Sequence, residues 1–118
     1  MAVSPQEAAA TFLQREVAAR QKREADGRAL RGQVDAWAKA ARERGDFERA
    51  WLIGSVAWGE VWETSDVDLV VEAMAPGKEG ALWADACRVF HRSVDLLELR
   101  SLPQAFQTRV LQEGILLP

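Results

Sequence analysis

The first forty-four positions place their apolar residues at the spacing of a helix. Phe12, Leu13 and Val17 form one group, and a second group recurs between residues 30 and 41. Residues three or four positions apart share one face of a helix, so the pattern predicts helix over residues 5–44. The polar stretch 22–28 contains Gly27, and glycine weakens a helix interior. We therefore expect either two helices or one long helix that is weak in its middle.

After this region the pattern shortens to runs typical of strands and small helices. Residues 48–53, 66–72 and 93–99 are short runs rich in β-branched and other apolar residues, which predict three strands. Residues 55–62, 81–90 and 102–112 read as helices between and after these strands. The order α-β-α-β-α-β-α indicates an α/β (α+β) fold, with a small mixed sheet and flanking helices. We divide the chain into a helical arm, residues 1–45, and a core domain, residues 46–118.

Charge is distributed unevenly along the chain. Residues 1–50 contain 10 basic and 8 acidic residues, whereas residues 51–118 contain 5 and 10, giving the net charge of −3. Nucleic-acid binding needs clustered basic charge, so an acidic second half makes a nucleic-acid partner an unfavourable hypothesis. An acidic half is instead what a carboxylate-rich cation site produces.

Cysteine content and hydropathy indicate the compartment. Cys87 is the single cysteine of the 118 residues, which fits a reducing cytoplasm. No apolar run approaches the length of a membrane span, and no basic segment followed by an apolar stretch opens the chain. We expect a cytoplasmic protein with no membrane partner.

A glycine and a serine lie where the first strand gives way to a short helix. Gly54 allows a ligand to approach the backbone closely, and the free N–H groups of a helix start favour a phosphate. The Ser55 hydroxyl would meet the same phosphate. Taken alone, Gly-Ser is also a common turn, and a simple helix cap is the more frequent interpretation.

Three aspartates stand in or beside apolar runs. Asp66 and Asp68 are two positions apart on a predicted strand, so they point to the same face. Two like charges there repel each other unless a cation lies between them. They could instead cap the strand start in solvent, but Asp95 then needs a separate explanation. If the two strands are neighbours, three carboxylates converge in the oxygen-rich surroundings that magnesium prefers.

These residues resemble a known signature. Gly54-Ser55, Gly59 and the run from Ser65 to Leu69, with Asp95 on a later strand, are similar to the motif of the DNA polymerase β-type nucleotidyltransferase superfamily. The last residues, 106–117, resemble the tail of the minimal nucleotidyltransferases within it. The resemblance covers residues 47–118 and implies a nucleotidyltransferase fold.

The resemblance also implies a mechanism. Asp66, Asp68 and Asp95 would be the catalytic residues and would hold two Mg²⁺ ions, with Mn²⁺ as an alternative. Residues Gly54, Ser55, Gly59 and Ser65 would contact a nucleoside triphosphate, ATP by expectation. The reaction would move a nucleoside monophosphate, AMP by expectation, to an acceptor hydroxyl.

Minimal nucleotidyltransferases are often encoded beside a helical HEPN protein. The resemblance therefore implies a protein acceptor, by expectation a HEPN-type toxin for which this chain is the antitoxin. The alternatives are a binding module with weak or lost catalysis, which neutralises a partner by contact, and a nucleotide sensor. The apolar residues of the arm also predict a partner surface or a homodimer interface, which we favour for residues 5–26; residues 30–44 could instead fold back over the sheet and complete the core.

Two departures from the family pattern matter. Family members commonly carry a basic residue in the short helix after Gly-Ser, where this chain has Val56-Ala57-Trp58. The N-terminal arm is also longer than the extension that minimal domains usually carry. Trp58 and Trp62 flank the expected nucleotide site; packing is the more common role of such aromatics, and base stacking is the alternative.

Overall fold

A computed structural model describes residues 2–118, which form four helices and one four-stranded sheet. The elements in chain order are α1 (Pro5–Glu43), β1 (Arg49–Ile53), α2 (Ser55–Trp58), β2 (Val67–Glu72), α3 (Glu79–Phe90), β3 (Val94–Glu98), a 3₁₀ turn (Leu99–Ser101), α4 (Gln104–Glu113) and β4 (Ile115–Leu116). The expected α/β class, with a small mixed sheet and a long N-terminal helix, is confirmed.

The sheet has the strand order β3-β2-β1-β4. β1 runs antiparallel to β2 and β4, whereas β2 and β3 are parallel. A parallel pair needs a crossover, and α3 supplies it. The register places Asp68 beside Ile53 on one side and beside Asp95 on the other. This pairing places two of the three predicted aspartates next to each other.

The two faces of the sheet are covered by different helices. Helices α1 and α3 pack on one face, over a core that includes Leu52 and Leu69. Helix α4 covers the other face, where Val110 packs against Ile53 and Val70. Because side chains alternate along a strand, Asp68 and Asp95 point to the face covered by α4.

Helix α1 is continuous, with no break at Gly27. The Ser4 hydroxyl accepts a hydrogen bond from the Glu7 amide and caps its start. Its second half packs on the sheet, where Val34 is fully buried. Gly27 is buried because its bare Cα lies against Val61, where a Cβ would be 3.2 Å from the valine Cγ2. Tertiary packing thus overrides the weak helix propensity of this stretch.

The first half of α1 projects beyond the core. The molecule measures 66 × 30 × 20 Å because of this projection. Its apolar side chains remain in solvent: Phe12 and Leu13 are each 62% exposed and Val17 is 55% exposed. We call residues 5–22 the projecting arm.

The predicted elements all occur, with two differences. The segment 55–62 is helical only to Trp58, and its remainder is a loop leading to β2. Strand β4 was not predicted, because two residues are too few to show a periodicity. Over residues 2–118, every helix is too short or too polar to cross a bilayer.

The division after residue 45 stays a prediction about domains. The second half of α1 nevertheless contributes to the same core as the sheet, since Leu30, Val34 and Trp37 belong to the cluster that contains Leu69.

Candidate active site

Two of the predicted acidic residues lie side by side across the parallel strands. Asp68 on β2 is paired in register with Asp95 on β3. The two carboxyl groups are close enough to share a hydrogen bond. The sequence predicted convergence on the condition that the two strands were neighbours, and the strand order meets that condition.

The electrostatics of the pair are unfavourable without a cation. Partial burial, the hydrogen bond with Asp95 and the negative charges of Asp95 and Asp66 together raise the pKa of Asp68 to about 6. Burial is the largest of these causes. A carboxylate that resists ionisation beside a second carboxylate is a favourable place for a positive charge.

Gly54 makes room for Asp68. Its φ of +76° lies in the region that glycine adopts readily and other residues avoid. A Cβ on Gly54 would overlap the Asp68 carboxylate oxygen Oδ2. Glycine is therefore required here for two reasons, its backbone conformation and the close approach of the carboxylate.

The other predicted residues are arranged around this pair rather than within it. Ser55 begins α2 next to Gly54 and is exposed. Asp66 precedes β2, is exposed, and acts on Asp68 through its charge. Gly59 ends α2, and its amide donates to the Ser55 carbonyl at 2.7 Å. The Ser65 hydroxyl accepts from the Trp62 amide at 2.8 Å, which orders the turn before Asp66.

A cleft of about 580 Å³ opens over the carboxylate pair. Its size is typical of small-molecule sites. Nine residues from β1, β2, β3, α2 and α4 line it: Ile53, Gly54, Trp58, Asp68, Asp95, Leu97, Phe106, Arg109 and Val110. Sequence reasoning missed the contribution of α4, because nothing in the sequence placed that helix over the aspartates.

The two tryptophans that flank the site have separate positions. Trp58 lines the cleft, and its indole N–H donates to the Glu113 carbonyl at 3.0 Å. Trp62 lies on the α1 side, where the Arg23 guanidinium stacks 4.0 Å from its ring centroid. Of the two, only Trp58 is placed to contact a ligand over the aspartates.

The carboxylate pair fits a magnesium ion that also binds a substrate. Within residues 2–118, no three acidic, histidine or cysteine side chains form a group that could enclose a metal by themselves. Magnesium is usually held by one or two carboxylates together with substrate phosphates, because it keeps several coordination positions for water or ligand oxygens. Asp68 and Asp95 would supply the carboxylates, and Gly54 leaves them accessible.

Comparison with known proteins agrees with this geometry. The family model for polymerase β nucleotidyltransferases matches residues 37–118. A solved structure described as a candidate minimal nucleotidyltransferase is 29% identical, covers 75% of this chain and 93% of its own, and superposes with a TM-score of 0.64. Among curated proteins, none matches significantly. The chain belongs to the polymerase β nucleotidyltransferase family.

Proposed function

We propose that this protein transfers AMP from ATP to a hydroxyl group of a protein acceptor. The pairing of Asp68 with Asp95 beside Gly54 carries the proposal, because it combines two metal-binding carboxylates with open backbone at one end of a cleft. The cleft is large enough for a small molecule, and the family is one of nucleotidyltransferases.

The residues suit an in-line displacement. The acceptor oxygen forms a bond to the α-phosphorus, the bond from that phosphorus to the β-phosphate oxygen breaks, and pyrophosphate leaves. The proton of the acceptor hydroxyl passes to the Asp95 carboxylate. Asp68, with Asp66 beside it, would hold the metal that binds the phosphates. Two bound Mg²⁺ ions, with Mn²⁺ as the alternative, would neutralise charge on the phosphate oxygens.

The shape of the molecule supports a macromolecular acceptor. Helix α1 leaves the core beside the loop that joins α2 to β2, where Arg23 stacks on Trp62 and Gly27 contacts Val61. That loop connects Gly54-Ser55 to the aspartates. The projecting arm therefore leaves the core near the strand ends that carry the site, and its apolar residues are exposed to a protein bound there.

The resemblance to minimal nucleotidyltransferases makes a HEPN-type toxin the acceptor to test first. The chain would then act as an antitoxin by modifying its partner. The arm could also join two copies of this chain, and solution mass distinguishes the two uses.

A binding module without catalysis is the second candidate. It is favoured by α2, which offers no basic side chain to a triphosphate, and by the exposed apolar residues of the arm. In that case the partner would be neutralised by contact alone.

Labelled ATP separates the candidates. The purified chain is incubated with Mg²⁺, α-labelled ATP and the protein encoded by the adjacent gene, and label transfer and pyrophosphate are measured. Transfer that is lost in Asp68→Asn and Asp95→Asn, and kept in Asp35→Asn on the exposed surface of α1, supports the enzyme. A stable complex with no label supports the binding module. Nucleotide binding with neither transfer nor partner supports a sensor.

A further inference from the structure

The wall of the cleft opposite the carboxylates is built by α4 and α2. Helix α4 contributes Phe106 and Arg109, and α2 contributes Trp58. Phe106 is partly exposed and Trp58 is half exposed, so each ring has surface that does not pack in the core. An apolar, aromatic wall that faces two carboxylates across one cleft is suited to a ligand with an aromatic part and a charged part.

Arg109 brings a positive charge to this cleft. Among the lining residues that the structure describes, it is the only cation. Arg92, in the same acidic half of the chain, is occupied by the carbonyls of Trp62 and Ser65 at 2.6 and 3.0 Å. Arg88 lies on α3, which packs on the opposite face of the sheet.

Arg109 and Trp58 are positioned by the same residue. The Arg109 guanidinium pairs with the Glu113 carboxylate at 2.9 Å, one helical turn away. The Trp58 indole donates to the Glu113 carbonyl. The Arg109 side chain is 66% exposed, and exposed pairs four residues apart on a helix are weak, so a phosphate can replace Glu113.

We propose that Arg109 binds the triphosphate, in place of the basic residue that is missing after Gly54-Ser55, and that Trp58 and Phe106 stack on the nucleobase. The proposal rests on the proposed function, since it takes the nucleotide to be the ligand of this cleft. A triphosphate next to two carboxylates needs positive charge beyond the metal. Guanidinium matches phosphate geometry with two parallel hydrogen bonds, and aromatic rings accept any base face.

The test is a titration of the full chain with ATP and with adenosine, both with Mg²⁺, by calorimetry. Arg109→Ala should bind ATP about tenfold or more weakly, since a charge-assisted contact is lost, and should bind adenosine as the wild type does. Arg109→Lys should be intermediate for ATP. Glu113→Gln should bind ATP as well as the wild type or better, because it removes the competing carboxylate.

Trp58 has a different expected signature. Trp58→Ala should weaken both ATP and adenosine, whereas Trp58→Phe, which keeps an aromatic face, should retain most of the affinity. The retained binding of Trp58→Phe also separates stacking from loss of the hydrogen bond to Glu113.

Arg88→Ala is the matched control. Arg88 is similarly exposed, 74%, and pairs with a carboxylate on its own helix as Arg109 does, but on the opposite face. It should leave both affinities unchanged. Equal loss in Arg88→Ala and Arg109→Ala would reduce the effect to net charge and overturn the assignment.

The outcomes distinguish this proposal from the proposed function. Wild-type affinity for ATP in a folded Arg109→Ala, or a wild-type chain that binds no ATP, overturns the assignment. Transfer that continues unchanged in Arg109→Ala at an ATP concentration below the wild-type dissociation constant overturns it while leaving the transferase intact. Binding that depends on Arg109, with no pyrophosphate released in the presence of any acceptor, supports the assignment and contradicts the transfer reaction.

Discussion

Replacing Asp68 by asparagine tests the carboxylate pair through stability rather than activity. The folded protein raises the pKa of Asp68 from 3.8 to about 6. Between these two values the folded chain holds more of this proton than the unfolded chain does. Stability from this group is therefore present at low pH and is lost as pH rises from about 4 to about 6. At pH 7 the ionised Asp68 destabilises the metal-free protein.

The size of the effect follows from the same shift. Two pH units correspond to about 3 kcal/mol as an upper limit. Much of the carboxylate is open to solvent, which screens the charge, so we expect about 1 kcal/mol. For a chain of this size that is about 3–5 °C in melting temperature. Asp68→Asn should melt higher than the wild type by this amount at pH 7 without metal.

The pH and metal arms make the test specific. At pH 4 the melting temperatures of the two proteins should differ far less than at pH 7, because Asp68 is then protonated in the folded wild type and only partly ionised in the unfolded chain. Mg²⁺ at pH 7 should raise the melting temperature of the wild type and leave that of Asp68→Asn unchanged. Asp35→Asn removes the same charge on the exposed face of α1, and its melting temperature should equal that of the wild type. A gain in Asp68→Asn that is equal at pH 4 and pH 7 would refute the electrostatic explanation.

Three further outcomes are expected. Mg²⁺ should raise the melting temperature and ATP should raise it further, because ligands that bind only the folded state stabilise it; Asp95→Ala should reduce the response, and indifference to both ligands would contradict the site. Gly77→Ala should lose about 1 kcal/mol of stability by thermal melting because its φ is positive, and Gly54→Ala should lose more, because its Cβ would also overlap the Asp68 carboxylate. Gly77 has open space around it, so loss of the Mg²⁺ response in Gly54→Ala alone would identify the overlap with Asp68, and loss in both would not. Deleting residues 2–22 should keep the fold and ATP binding while lowering the apparent mass or abolishing partner binding in size-exclusion chromatography; a truncated chain that unfolds would show that the arm belongs to the core.

Much of the site could be predicted from the sequence, because its signals come from residues that are close together in the chain. Gly54-Ser55 marks a strand-to-helix turn, and a carboxylate inside an apolar run, as at Asp68 and Asp95, is conspicuous wherever it occurs. The strands themselves follow from short apolar runs bounded by turns. These signals depend on neighbours within a few residues, and a sequence records such neighbours directly.

Strand order and helix placement were decided by tertiary packing. Periodicity tells which face of a strand a side chain occupies, but it does not tell which strand lies next to it, so the meeting of Asp68 with Asp95 required the parallel pairing of β2 with β3. Arg109 is more than forty residues from Asp68 in the chain, and only the packing of α4 on the second face of the sheet brings it to the cleft. Helix α1 is continuous for the same reason. The contact of Gly27 with Val61 stabilises helical structure that local propensity disfavours. The sequence thus determined which residues could bind a metal and a phosphate, and burial of the two sheet faces determined which of them meet.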